Sequence, residues 1–345
     1  MSSPNALPTA TGSGSDFAEL SRVIKQTGLL RRRPGSYALK FVVNGLLMAA
    51  GWAVFGLLGP SWWQLFTALF LAVVFTQLAF IGHDAGHKQI FNGRRANDVV
   101  GYLHGGLVGI SYQWWVGKHT HHHANPNHED DDPDLAIPLL AFSARQAEDT
   151  RGTLRWLAKY QAFLFFPLLV LEGLNLHAAS VRAIVRHEVK AGALETALLG
   201  VHIVGYLTAV FWVLSPLQAI VFIAVHQGLW GVYMGCSFAP NHKGMPVISA
   251  GDKMDFLRKQ VLTSRNIRGN WLTDFALGGL NYQIEHHLFP SMPRANLRHA
   301  QAHVRAFCVD RGIPYHQTSA FGSYGQVLRH LHSVGAPLRT ARVSA

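Results

Sequence analysis

The chain has 345 residues, 49% of them hydrophobic and only 14% charged, with 30 Lys and Arg against 19 Asp and Glu for a net charge of +11. An ordinary soluble domain carries roughly 25% charged residues, so this composition excludes that class and points to a membrane protein. The positive excess then serves orientation in the bilayer and contact with anionic lipid, and no nucleic-acid partner is expected.

The first twenty residues are rich in Ser, Gly, Thr and Ala, and no basic segment leads into an apolar stretch with a cleavage site. They read as a loose tail, and residues 1–38 as an N-terminal tail without a signal peptide. Arg22, Lys25 and Arg31 to Arg33 precede the first apolar run and place this tail in the cytoplasm. Residues 39–59 and 62–82 each match the roughly 20 residues needed to cross hydrocarbon, so they form a hairpin of two spans. His83 and His87 therefore emerge on the cytoplasmic side. Residues 99–117 are uncharged but hold several glycines, His104, Ser111 and Gln113, which suits a re-entrant or interfacial segment better than a span.

Residues 157–176 are apolar yet hold Lys159, Gln161 and Glu172. If they crossed, His242, His286 and His287 would lie on the opposite side from the earlier histidines. One shared centre demands an even number of crossings, so this run is expected to be an interfacial helix on the cytoplasmic face, with Arg182, Arg186 and Lys190 following it. Residues 198–214 and 217–239 complete a set of four spans, with Pro216 in the tight turn between them. Beyond them, residues 299–345 form a C-terminal cap segment and tail, with short amphipathic helices expected over 297–307 and 324–331 and a frayed last dozen residues. Cys236 and Cys308 show no paired spacing, so neither a disulfide framework nor an iron–sulfur site is expected. Iron bound here would need nitrogen ligands.

Three histidine clusters stand out among the 20 histidines. His83 and His87, four apart in IGHDAGHK, share a helix face and can bind one metal. In WWVGKHTHHHANPN, His119 precedes His122 and His123 by three and four residues, a spacing suited to ligands that reach toward two metals. His121 falls on a different face and is assigned a structural role. His286 and His287 in NYQIEHHLFP repeat the pattern, with Gln283 where the leading histidine would stand. Gln283 has three open roles: an oxygen ligand, a hydrogen-bond partner of a bound water, or an orienting neighbour. His242, directly after the fourth span, lies at the depth of His83 and His87. Asp84, Asn125, Asn241 and Glu285 adjoin these residues and can accept the second ring N–H of a histidine. Asp130, Asp131, Asp132 and Asp134 in HEDDDPDL read as a solvated loop, with a rival reading as carboxylate ligands.

The strings HDAGH, HTHHH and QIEHH resemble the three histidine boxes of the membrane fatty acid desaturases, H-D-x-x-H, H-x-x-H-H and Q-x-x-H-H, and FAPNHKGMP and NYQIEHHLFPSMPR fit as well. The resemblance runs from about residue 40 to residue 298. Its glutamine-led third box is typical of the branch that includes front-end and other acyl-lipid desaturases.

The resemblance implies an all-α integral membrane protein with four transmembrane helices and a cytoplasmic helical cap, residues 39–298 forming the membrane and catalytic domain. It further implies two iron ions, Fe2+/Fe3+, on His83, His87, His119, His122, His123, His242, His286 and His287. Gln283 departs from relatives that have a ninth histidine at its position. The implied reaction is insertion of a cis double bond into a long acyl chain with reduction of O2 to water, on an acyl-CoA or an acyl-lipid. Abstraction from an unactivated methylene needs a redox metal with O2, because no side-chain acid or base is a strong enough oxidant. Many relatives carry a fused cytochrome b5 domain with a His-Pro-Gly-Gly motif, which this sequence lacks. A separate donor is therefore expected, a ferredoxin or cytochrome b5 with an NAD(P)H reductase, in the cell membrane with both termini cytoplasmic.

Tyr112, Trp114, Trp115 and Phe289 are candidate walls of a substrate tunnel, the tryptophans otherwise serving as headgroup-level anchors. Arg265, Arg268 and Arg294 are candidates to meet a phosphate or an electron donor. Two other functions fit the same residues: a related di-iron lipid hydroxylase or ketolase, and a membrane protein that binds or transports metal. Transport would need ionisable groups along the spans, where His202 and His226 are the only histidines expected.

Overall fold

The computed structural model describes residues 15–249 and 251–340. The chain opens with α1 (Asp16–Gln26), then the long apolar α2 (Pro34–Leu58) and α3 (Gln64–Gly86), and then α4 (Arg94–Val108) and α5 (Tyr112–Ala124). After α6 (Ala144–Asp149) come α7 (Gly152–Leu169) and α8 (Glu172–Val185), followed by the long α9 (Gly192–Val213) and α10 (Pro216–His242). The remainder is α11 (Phe256–Leu262), β1 (Asn266–Arg268), α12 (Trp271–Ala276), α13 (Gln283–Leu288), α14 (Arg294–Asp310), β2 (Gln317–Ser319), α15 (Ala320–Val334) and α16 (Ala336–Thr340). Among the described residues the architecture is helical, with a three-residue parallel pairing of β1 with β2 and a single bridge between His128 and Ile248.

Among the described residues four single helices, α2, α3, α9 and α10, are long and apolar enough to cross a membrane. α3 and α10 form the inner pair, with Phe75, Trp230 and Met234 buried between them and their neighbours. α2 and α9 lie outside and expose Leu46, Val54, Leu57, Val201, Val204 and Trp212. Such apolar surface is stable only against lipid, so the multi-pass arrangement follows from which residues are left uncovered. α3 and α10 end side by side, since the rings of His87 and His242 both lie within 5 Å of other histidines of one shared cluster. An even number of crossings therefore separates them.

The run expected as one interfacial helix over 157–176 is instead two helices, α7 and α8, bent by 83° at the break between them. Pro167 in the last turn of α7 removes a backbone N–H and crowds the preceding turn, which favours ending the helix there. The start of α8 lies against α10 at Gly231, where an added Cβ would come within 2.6 Å of the Gly173 nitrogen and the Leu169 oxygen. Only glycine permits that backbone approach. Residues 99–117 are likewise two helices, α4 and α5, joined by a turn at Gly109, whose φ of +74° suits glycine. Ser111 then caps α5, its oxygen accepting from the Trp114 nitrogen at 3.2 Å.

The N-terminal segment departs from the loose tail expected for the first twenty residues. Residues 1–14 lie outside the described residues, but Asp16 begins an ordered helix with Ser15 as its cap. Leu20 and Ile24, four apart on one face, are fully buried against Ile284, Leu297 and Val304. Arg258 pairs with Asp16 at 2.9 Å and Arg311 with Glu19 at 2.5 Å, so α1 is part of the cap. At the other end α14 and α15 extend past the short helices expected there. α16 occupies residues 336–340 of the last dozen expected to fray, of which residues 341–345 lie outside the described residues.

Candidate metal centre

Four helix segments bring histidines to one place: the end of α3, the C-terminal half of α5, the end of α10 and α13. His83, His87, His119 and His286 form one group whose ligand atoms lie within 4.8 Å of one another, and His122, His242 and His287 form a second. His123 sits between them. Its ring stacks on His287 at 4.1 Å, and its Nε2 faces His119 Nε2 at 3.1 Å. His119 and His122, three apart on α5, thus go to different groups.

The second group shows why its nitrogens point inward. His242 Nδ1 donates to the Thr263 carbonyl at 3.0 Å, and a carbonyl can only accept, so the ring's lone pair sits on Nε2. Gln260 donates its amide N–H to the His123 carbonyl at 2.9 Å, which turns its oxygen to accept from His287 Nδ1 at 2.8 Å. His122 Nδ1 lies 3.0 Å from Asp132 Oδ1, and its Nε2 is 3.3 Å from His242 Nε2. Three outer acceptors thus set three tautomers and aim three lone pairs at one point, the usual way a protein orients metal-binding imidazoles.

The first group has the complementary feature. Nε2 of His83 and His87 and both ring nitrogens of His286 are buried with no hydrogen-bond partner among the described residues. Buried polar atoms are rarely left unpaired without a ligand or water to satisfy them. Burial, reinforced by the neighbouring imidazoles, holds His87, His119, His123, His286 and His287 well below the ordinary histidine value. The rings are neutral at neutral pH and available as metal ligands. Two clusters of nitrogen donors, adjacent and inward-facing, suit a di-iron site.

Gln283 occupies the flank of the second group. Its nitrogen lies 2.9 Å from His242 Nε2, and its oxygen accepts from Asn241 Nδ2 at 3.1 Å. Asn241 is tied in turn to the Ser237 carbonyl at 3.2 Å. Asp84 lies 3.4 Å from His83 Nδ1 but pairs more closely with Arg294, at 2.7 Å, and accepts from the Tyr37 hydroxyl at 3.1 Å. Glu285 turns away from the histidines to accept from Asn266 and Tyr315, each at 2.7 Å, and burial pushes its carboxyl up to about 7. Asn125 caps α5 through its backbone nitrogen.

The acidic run is not a solvated loop at all its positions. Asp130 and Asp131 are exposed, but Asp132 is buried and also accepts from the Asn127 nitrogen at 2.8 Å. Burial pushes the Asp132 carboxyl up, yet the hydrogen bond to His122 and the charge of Lys243 outweigh it and leave the group below its ordinary value. Asp134 pairs with Lys118 at 2.6 Å. His122, Asp132 and Asp134 also cluster closely enough to hold a metal. Because His122 presents Nδ1 to these carboxylates and Nε2 to His242, they are better described as its outer support.

Several other candidates are placed elsewhere. His121 is exposed and outside both groups. Arg265 is fully buried and donates to the carbonyls of Pro240 and Lys243, a staple between α10 and β1 that no phosphate can reach. Arg268 is exposed. Phe289 stacks on Phe17 in the cap core, since α13 turns its histidines inward and its C-terminal residue outward. Trp114 packs with Leu176 and Trp230. Tyr112 and Trp115 do line a narrow cleft beside His83, together with Gly82, Gly101, Val108 and Met234. Trp115 stacks on His119 with ring centroids 4.6 Å apart. Gln260 and the Thr263 carbonyl escaped the sequence reading because nothing in their local sequence signals a role. Replacing Gln260 with alanine is expected to lower iron affinity about 10–100-fold with the helix content unchanged, as measured by competition with a chelator and by circular dichroism.

The sequence profile of the fatty acid desaturase family matches residues 60–319. The chain is 32% identical over 334 residues to an acyl-lipid (9-3)-desaturase of Physcomitrium patens, covering 92% of this chain and 62% of that protein. It is 28% identical to a Delta(8)-fatty-acid desaturase of Helianthus annuus, covering 94% of this chain and 74% of the relative. A Delta(6)-fatty-acid desaturase of Caenorhabditis elegans is 29% identical, covering 92% and 74%. The chain thus spans less than two thirds of the first of these relatives.

Proposed function

The chain belongs to the fatty acid desaturase family, and from that membership we propose that it is an O2-dependent oxidoreductase that places a cis double bond in a long acyl chain. The observation that carries this reading is the convergence of eight histidines from four helices on two adjacent groups of inward-facing nitrogens. His83, His87, His119, His123 and His286 would hold one iron, and His122, His242 and His287 the other. When bound, the iron pair supplies the oxidising power with O2 that removes hydrogen from an unactivated methylene. The balance is one –CH2–CH2– unit, O2, two electrons and two protons giving –CH=CH– and two waters, with the electrons from an external donor.

The chain's own residues set where this happens. Asp132, Gln260 and the Thr263 carbonyl fix three imidazole tautomers. Trp115 and Tyr112 wall the cleft beside His83, where an acyl chain would lie. Gln283 adjoins His242 where some relatives have a further histidine, so it orients that ring. Position near the carboxyl end of the acyl chain is supported by the Delta(6) and Delta(8) names of the relatives and by the glutamine-led third box. Arg31 to Arg33, Arg182, Arg186 and Lys190 flank the long helices on the cap side, which supports a cytoplasmic cap.

Expression of the chain with a donor system, followed by mapping of double bonds in the host lipids, tests the reading. A product lighter by two hydrogens is expected, and one heavier by one oxygen would make the enzyme a hydroxylase instead. Gly82→Leu gives a second check. An added Cβ at Gly82 meets only His104 Cβ at 3.6 Å, so a larger side chain grows into the cleft. Turnover of long acyl chains should fall at least about tenfold with iron retained, a loss equivalent to about 1.4 kcal/mol.

A further inference from the structure

A recess of about 560 Å3 opens on the other side of α3 from the cleft. Gln77 and Ile81, four apart on one face of α3, line the recess, whereas Ala79 and His83 on another face line the cleft. The recess is therefore separate from the path that reaches the histidines. Its floor is apolar, from Val43, Ile81 and Phe275, and its rim carries Lys40 on α2 with Arg298 on α14. Arg294 also lines it, but its charge is matched by Asp84 at 2.7 Å. Asp274 is the carboxylate in the lining, and it accepts from Asn281 Nδ2 at 2.8 Å. Lys40 and Arg298 against Asp274 leave one net positive charge.

The position of the recess says what it faces. Lys40 lies in the second turn of α2 and Ile81 near the end of α3, at the boundary between the long apolar helices and the cap. α12 borders the recess and buries none of its residues, with Trp271 73%, Leu272 55% and Phe275 50% exposed. A helix that exposes an aromatic and aliphatic surface beside basic residues is the pattern of an interfacial anchor. Leu39 and Val42 continue the apolar surface down α2. Lys40 donates to Ser36 Oγ at 2.9 Å, which leaves further N–H donors for an anion.

We propose that this recess binds the phosphodiester of an anionic glycerophospholipid, its acyl chains running along the exposed side of α2, as a resident lipid distinct from the substrate. The proposal rests on α2 and α3 lying in the bilayer and not on the desaturase reading.

The test is native mass spectrometry of the purified full chain titrated with phosphatidylglycerol, phosphatidylcholine or diacylglycerol, with iron content measured on the same samples. The wild type should bind one phosphatidylglycerol at least about tenfold more tightly than the other two lipids. The double variant Lys40→Gln/Arg298→Gln should lose that preference. Val43→Trp, which keeps both cations but fills the floor, should lose binding altogether, and iron content should be unchanged in both. Equal binding of phosphatidylglycerol by wild type and double variant would overturn the proposal. So would diacylglycerol binding as tightly as phosphatidylglycerol, or displacement of the lipid by coenzyme A, which would make the recess a site for the substrate's carrier.

Discussion

Replacing His286 with alanine is expected to abolish the proposed desaturation, a loss of more than about 100-fold, while the protein remains in the membrane. The expectation comes from its surroundings. His286 is 1% exposed, its ring centroid lies 4.7 Å from that of His87 and 4.8 Å from those of His83 and His123, and neither of its ring nitrogens has a partner among the described residues. It closes the first group, and the remaining members come from α3 and α5 alone. Its removal also leaves a small cavity in the cap, but that cost falls on stability and not selectively on iron. Elemental analysis of the purified variant should show about one iron fewer per chain than the wild type, and product analysis should show no new double bond. His121→Ala is the comparison, since His121 is exposed on α5, the helix that carries His119, His122 and His123, and should leave iron and activity intact. Full activity in His286→Ala, or iron loss from His121→Ala, would break the ligand assignment.

The histidine pattern was legible in the sequence because helical period converts spacing into shared faces. Residues four apart, such as His83 and His87, or three apart, such as His119 and His122, carry their geometry with them. Long apolar runs were equally legible, and the helices Pro34–Leu58, Gln64–Gly86, Gly192–Val213 and Pro216–His242 cover the four expected runs apart from the last residue of the first and third and the first two residues of the second, while extending beyond the other expected boundaries. Tertiary partners were not legible. Asp132 reads as one of four acids in a polar loop, and only folding buries it under His122. Arg265 reads as a free cation, yet the junction of α10 with β1 encloses it. The amphipathic pair Leu20 and Ile24 in α1 was masked by the polar residues before it. In each case the local sequence is ambiguous between solvent and core, and contact with a distant element decides.

The second large effect is expected at Arg294, which ties the cap to the end of α3. Its guanidinium pairs with Asp84 at 2.7 Å and donates to the Phe80 carbonyl at 2.6 Å, while its backbone nitrogen donates to Gln89 Oε1 at 3.1 Å. Asp84 is 2% exposed, so Arg294→Gln leaves a buried carboxylate whose remaining partners are the Tyr37 hydroxyl and the longer contact to His83. Breaking one side of a buried pair in this way typically costs about 3–5 kcal/mol. Stability in detergent should fall by about that amount, and iron should be lost with it because Asp84 adjoins His83. Removing the uncompensated charge should reverse much of the damage, so Asp84→Asn/Arg294→Gln is expected to be more stable than Arg294→Gln alone. A thermal melt of the two variants, read beside their iron content, decides the matter. If the double variant is no better than the single one, Arg294 acts through packing on Phe80, and its pairing with Asp84 does not hold the centre together.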